Sequence, residues 1–176
     1  MLLKLETERL TLRLANSNDL AHIHHLHSFP EVDQYNTLGI PKDLKETETI
    51  MLPLFDANIA REKYTFIIQD KTTQSFIGMA GVFPGKPKYK SAEIWYKILP
   101  QTWGKGYATE TSKELIRFCF DTLEVHRVEA GCAVGNVASI RVLEKSGMQR
   151  EARRRQLLPL AAGWSDNFEY AILDVD

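Results

Sequence analysis

Apolar and polar residues alternate along Arg9-Leu10-Thr11-Leu12-Arg13-Leu14, a period of two that predicts a strand. The period then lengthens. Leu20, Ile23 and Leu26 recur at helical spacing, with Asn16 and Asp19 placed as a capping box and Pro30 bounding the far end. A second helical region is expected from about Asp43 to Ala60, and Pro53 inside it predicts a kink or two short helices. Three apolar runs follow, at 64–69, 75–83 and 92–99, the second carrying Gly78 and Gly81. A turn at 70–74 and a polar loop at 84–90 join them, so an antiparallel meander is expected. Beyond residue 100 the pattern changes to a helix at 107–121, a strand at 127–134 and a helix at 137–145 closed by Gly147. Two closing strands, 148–158 and 164–173, complete it. The fold class is α/β (α+β): one domain over 1–176, a mixed and mostly antiparallel sheet with helices on both faces.

Composition narrows the function without naming it. A chain of 176 residues, 44% hydrophobic and 26% charged, suits one domain with a sizeable core. A formal net charge of −1 argues against a nucleic-acid partner. The basic run Arg150, Arg153, Arg154, Arg155 reads as a solvated strand edge or turn, or as a patch facing an acidic ligand. Cys119 and Cys132 have no metal or redox spacing, and Cys119 sits in an apolar run as a buried thiol. The start Met1-Leu2-Leu3-Lys4-Leu5-Glu6 is too short and charged for a signal peptide, and no apolar run reaches the ~20 residues of a membrane span. A cytoplasmic protein is the expectation. His22, His24, His25 and His27 crowd one helix, but neither i, i+3 pair has further ligands, so no metal site is expected.

The most informative stretch is Gln101-Thr102-Trp103-Gly104-Lys105-Gly106-Tyr107-Ala108, at a strand-to-helix junction. Glycines there permit φ > 0, and a helix N-terminus offers unpaired N–H groups to an anion. Three readings follow. A Rossmann site would want Gly or Ala where Thr109 stands, and a βαβ unit rather than a meander before it. A P-loop would want its lysine after the second glycine, whereas Lys105 precedes it. The third is a pyrophosphate held by closely spaced glycines after an antiparallel meander.

That third pattern, Gln101-x-x-Gly104-x-Gly106-Tyr107-Ala108, resembles the signature of the GNAT superfamily of N-acetyltransferases. The tract from Asn136 to Met148 resembles that superfamily's second conserved helix. Thr7-Glu8-Arg9-Leu10-Thr11-Leu12-Arg13 and Trp164-Ser165-Asp166 resemble the branch containing the ribosomal-protein alanine and serine N-terminal acetyltransferases. The resemblance implies a GNAT fold whose sheet splays between the fourth and fifth strands. It implies acetyl-CoA as co-substrate, its pyrophosphate on Gln101, Trp103, Gly104, Lys105, Gly106, Tyr107, Ala108 and Thr109. Its pantetheine would lie as an added strand on main-chain groups of Ile98 and Leu99. Asn136 and Ser139, sharing one helix face, would turn to the pantetheine and thioester.

The implied reaction is attack of a neutral amine on a thioester. Glu93, in an otherwise apolar strand, is the candidate base, acting through a water; its facing direction is open. The Leu99 N–H or a neighbour would hold the oxyanion. Many relatives carry a tyrosine acid seven residues after the asparagine; here that position is Leu143, leaving Ser139 as the nearest proton donor. The acceptor is expected to be a protein N-terminal α-amine or a free small amine, with a His of the first helix or Tyr35 as a possible contact. The apolar loop 157–163 could be an acceptor lid or pack in a homodimer interface. A non-enzymatic acyl-CoA sensor is the reading from another class.

Overall fold

A computed structural model describes residues 3–176; Met1 and Leu2, part of the leader reading, lie outside the described residues. The strands in chain order are β1 (Lys4–Glu6), β2 (Leu10–Leu14), β3 (Tyr64–Asp70), β4 (Phe76–Pro84), β5 (Ser91–Ile98), β6 (Arg127–Ala133), β7 (Gln149–Leu160) and β8 (Gly163–Leu173). The helices are α1 (Leu20–His27), α2 (Pro30–Asp33), α3 (Leu44–Ala60), α4 (Tyr107–Asp121) and α5 (Val137–Lys145). The sheet runs β1-β2-β3-β4-β5-β6-β8-β7. Every neighbouring pair is antiparallel except β5 and β6.

That one parallel pair covers only Ser91–Glu93 against Arg127–Glu129. Beyond it the strands part. The short β1 adds one to the strand count, so the expected splay of the fourth and fifth strands is that of β5 and β6. An antiparallel meander ahead of the glycine loop also removes the Rossmann reading, which needs parallel βαβ units.

Alternation along β5 divides two cores. Ala92, Ile94 and Ile98 join Leu115, Phe118 and Leu143 under α4 and α5, with Tyr96 packed against them. Trp95 and Leu99 turn to the other face, where Ile23, Leu26, Met51 and Phe55 of α1 and α3 pack. Gly81 in β4 makes room there. A Cβ on it would lie 2.4 Å from Nε1 of Trp95.

Two expectations are corrected. α3 runs unbroken through Pro53 instead of dividing into two short helices. The proline costs a single ladder bond on the solvent side. Asp43 caps the N-terminus through Glu46 N–H at 2.8 Å, and Thr47, Met51, Phe55 and Asn58 bury one face. Asn58 ties the end of α3 to the sheet: its amide donates to Ala15 O and Thr65 O and accepts from Thr65 N–H. The 157–163 segment is not a loop. β7 continues to Leu160 and turns into β8 at Gly163, making a long hairpin with register shifts at 150–152 and 154–158. The basic run lies on β7, an edge strand, where Arg153 pairs with Asp166 and Arg154 with Glu169. Among the described residues no helix is long and apolar enough to cross a membrane.

Candidate active site

The glycine loop enters α4 through Gly104 (φ +74) and Gly106 (φ +82), both in the left-handed region. Gly106 is the N-cap and has no side chain to close the helix end. The first N–H groups of α4, at Tyr107, Ala108 and Thr109, therefore lack a side-chain cap. Nothing stands within 4 Å of where a Gly104 side chain would be. Lys105 is exposed beside it, and Gln101 sits in a short 3-10 turn, Pro100–Thr102, just before. This is an anion cradle made of backbone and dipole.

The cradle is braced from a distance by residues whose role the sequence did not disclose. Arg9 donates to the Lys105 carbonyl at 2.9 Å and to Glu110 in the first turn of α4 at 2.7 Å, and its guanidinium lies 4.7 Å from the Tyr107 ring centre. Thr7 Oγ1 also donates to Glu110, at 2.5 Å. The Thr7-Glu8-Arg9 tract thus clamps the loop and the first turn together while leaving the helix N–H groups facing outward.

Main-chain parity shows what the splay exposes. Leu99 N–H donates to Ile77 O at 2.9 Å while Ile98 pairs with Gly78. Ile94, Tyr96 and Ile98 therefore direct their peptide groups away from β4 and into the gap. On β6, Val134 N–H donates to Asp166 O, which turns the groups of Gly131 and Ala133 into the gap from the opposite side. Here an expectation is corrected. Leu99 is fully engaged: its N–H goes to Ile77 and its carbonyl accepts from Thr102 N–H and Oγ1, because the 3-10 turn folds back on it. The Ile98 carbonyl is also taken, by the Trp103 indole N–H at 2.8 Å. The Ile98 N–H is the donor left facing the gap, so Trp103 shapes the site by packing and capping.

Asn136 caps α5, accepting Ser139 N–H at 3.1 Å. Ser139 Oγ meets Tyr96 Oη at 2.9 Å, joining α5 to β5 beneath the splay. Burial pushes the Tyr96 phenol up to about 12. Leu143 is buried in the core.

Glu93 lies on the opposite face from Tyr96, with Trp95 and Leu99. It is exposed, so solvent screens part of the field on it. Its pKa is nonetheless raised, by desolvation among the surrounding walls first, then by Glu129 and Glu169. Those two are paired, with Arg127 and Arg154 respectively. Glu93 has no ion-pair partner among the described residues. Lys97, on the same strand face, is a residue the sequence reading missed. Desolvation draws its ammonium down to about 8, against the pull of Asp33. Tyr35 packs against Gly135, whose Cβ would lie 3.3 Å from the ring, and so brings the segment after α2 to the start of α5. The four helix histidines have structural partners or burial: His22 stacks on Phe76, His24 meets Thr47, His25 edges Phe29 and His27 is buried. No group of three metal-ligating side chains occurs among the described residues.

Known proteins resemble this chain in sequence and in fold. An uncharacterized N-acetyltransferase of Bacillus subtilis, YoaA, is 29% identical over 154 residues, 88% of this chain and 87% of its own. The spermidine N(1)-acetyltransferase of Vibrio cholerae is 25% identical over 143 residues, 81% and 80% of the two chains. The solved structure of RimL, a ribosomal L7/L12 alpha-N-protein acetyltransferase in complex with coenzyme A, superposes with a TM-score of 0.89 over 99% of this chain and 100% of its own; at 19% identity it shows the fold alone. The family model for the acetyltransferase (GNAT) domain matches residues 9–149, from the arginine that clamps the loop to the first residue of β7. The chain therefore belongs to the GNAT acetyltransferases, N-acetyltransferases that take acetyl-CoA as co-substrate.

Proposed function

We propose that the chain acetylates a protein N-terminal α-amine, with Glu93 as base, the Ile98 N–H as oxyanion donor and Asn136 and Ser139 beside the thioester. The observation that carries the catalytic part is the splay itself. Unpaired peptide groups of β5 and β6 face each other across a gap that opens at an uncapped helix terminus. An extended chain with amides at one end and a diphosphate at the other fits both features. The loop and α4 N-terminus from Gln101 to Thr109 hold the diphosphate, and the free main-chain groups of Tyr96 on β5 and Gly131 on β6 hold the amides. When bound, acetyl-CoA supplies an activated acyl group in the gap.

The chemistry then assigns itself. Glu93, through a water, takes the proton that the attacking nitrogen loses as the N–C bond forms. The Ile98 N–H stabilises the charge growing on the carbonyl oxygen. The C–S bond breaks and its electron pair leaves with sulfur. A thiol pKa near ~8.5 makes that sulfur a fair leaving group. An α-amine, with a pKa of ~7.7–8.0, is partly neutral at pH 7, whereas a lysine amine at ~10.4 is not. A carboxylate raised above its ordinary range suits the former.

A second reading has one observation in its favour, the likeness to a spermidine N(1)-acetyltransferase. Against it, Glu129 and Glu169 beside Glu93 are each paired with an arginine, which weakens the field a polycation would meet there. Release of thiol from acetyl-CoA, followed with separate pools of N-terminal peptides and of small amines including spermidine, decides between them. Turnover with peptides alone is expected. Turnover with spermidine alone overturns the α-amine assignment and leaves the catalytic one standing.

A further inference from the structure

Seven residues after Asn136, where the resemblance implied a tyrosine acid, stands buried Leu143. A phenol nevertheless reaches the same neighbourhood from another element. Tyr96 projects from β5 under the splay, and its hydroxyl lies 2.9 Å from Ser139 Oγ in the first turn of α5. The Tyr96 hydroxyl has no other hydrogen-bond partner among the described residues, and the buried Cys132 thiol, a weak donor, also lies against Ser139 Oγ. A phenol is the more acidic of the two groups, so Tyr96 donates and Ser139 accepts. Ser139 then keeps its own hydrogen for a different acceptor. Its peptide N–H is already spent on Asn136 Oδ1, which fixes the turn that carries it.

We propose that Tyr96 is a positioning residue that holds Ser139 as a hydrogen-bond donor to the sulfur leaving the thioester. The inference rests on the reading that places Ser139 beside that sulfur. It also changes the expected role of Ser139 from proton donor to hydrogen-bond donor. A thiolate near ~8.5 is too weak a base to take a proton from a serine hydroxyl or from a phenol raised to about 12. No proton changes hands in this step. The C–S bond breaks, sulfur keeps the electron pair, and the Ser139 O–H shortens onto the developing charge while Tyr96 O–H reinforces it. Water protonates the thiolate after release.

The pair can be tested without knowing the acceptor, by comparing the affinities of CoA and desulfo-CoA between pH 7 and 10. In the unaltered protein CoA gains on desulfo-CoA as its thiol ionises, by about tenfold, because one charge-assisted hydrogen bond is made only to the thiolate. Tyr96→Phe is expected to remove most of that gain, Ser139→Ala all of it, and the double variant no more than Ser139→Ala alone. Desulfo-CoA is the reference ligand for each variant, so the ratio of the two affinities reads the bond to sulfur apart from any change common to both ligands. For Tyr96→Phe, whose lost hydroxyl bonds Ser139 and not the cofactor, desulfo-CoA affinity stays constant and certifies that the cleft is kept. With whichever amine is turned over, Tyr96→Phe lowers kcat about tenfold at unchanged KM for acetyl-CoA. If Ser139→Ala leaves the pH-dependent gain intact, the placement of Ser139 at the sulfur is wrong. If Ser139→Ala removes it and Tyr96→Phe does not, the placement stands and the role of Tyr96 falls.

Discussion

At the scale of single residues, what distinguishes Glu93 is the absence of a counter-ion rather than any special sequence context. Arg127 and Arg154 pair with Glu129 and Glu169 on the neighbouring strands β6 and β8, and desolvation first, then those two carboxylates, hold its pKa above the usual range. A base must be ionised to work, so activity rises with pH through a value above 4.5. Glu93→Gln is expected to lower kcat by about 10² and to abolish that limb, leaving only the limb from neutralisation of the amine. A pH–rate profile with both limbs intact would remove Glu93 from the mechanism. His27 offers a different test on the same sheet face. It is buried without a partner for Nδ1, and desolvation, with a contribution from Lys97, draws its pKa from 6.5 down to about 3. Between those values the unfolded chain binds a proton that the folded one refuses, so stability falls as pH drops through that window. At pH 5 the penalty from this one group is about 2 kcal/mol. Urea midpoints measured at pH 7 and pH 5 should fall less for His27→Gln than for the unaltered protein. An equal fall in both would mean that His27 is protonated in the folded state.

At the scale of elements, the phosphate loop is held by the connection between β1 and β2 as well as by its own strand. Arg9→Met deletes the bonds to Lys105 O and Glu110, but the arginine is nearly half exposed and the pair contributes under about 1 kcal/mol to folding. Its effect should therefore appear in binding. KM for acetyl-CoA is expected to rise about fivefold with kcat little changed and the melting temperature within a few degrees, since loosening the loop costs less than one hydrogen bond's worth of affinity. A fall in kcat at constant KM would place Arg9 in the chemistry. This clamp also shows where sequence reading stops. The α4 and α5 boundaries were legible to the residue, because their apolar stripes and the Asn136 cap are local signals. β1, three residues long, and α2, four, carry too few positions for a period to register. The helical span of α3 was legible, but its division at Pro53 did not occur, because the proline sits on the exposed side while Thr47, Met51, Phe55 and Asn58 bury one continuous face. The glycine loop, Asn136 and Ser139 could be found from their order along the chain. Arg9 holding a loop 96 residues away, Trp103 capping Ile98, and Tyr96 meeting Ser139 depend on three-dimensional register, which no local pattern encodes.

At the scale of the whole molecule, the sheet is two sheets joined at a corner. β1 to β5 form one ladder and β6, β8 and β7 another, with three residue pairs between them. The remaining connection is the packing of α4 and α5 over the seam. Such a seam leaves peptide groups without ladder partners, which a folded protein tolerates only where something else will satisfy them. Water does so in the open cleft, and an extended ligand with amides does so when bound. Acetyl-CoA should then act as the missing strand, and its effect should be both global and local. At one hundred times its dissociation constant it adds about 2.7 kcal/mol to stability. For a domain of this size that raises the melting temperature by roughly 5–11 °C. Hydrogen exchange should slow at Tyr96, Ile98 and Gly131, whose amides face the gap, and at Tyr107 to Thr109, whose amides face the cradle. The β2, β3 and β4 ladder, closed on both sides already, should change only as far as global unfolding is suppressed. NAD(H) should do neither, since the antiparallel meander offers no dinucleotide crevice. A melting shift accompanied by protection at the loop but none at Tyr96 and Ile98 would mean that the diphosphate is held while the pantetheine runs elsewhere. In that event the splay would be a structural weakness of the sheet and not its active cleft.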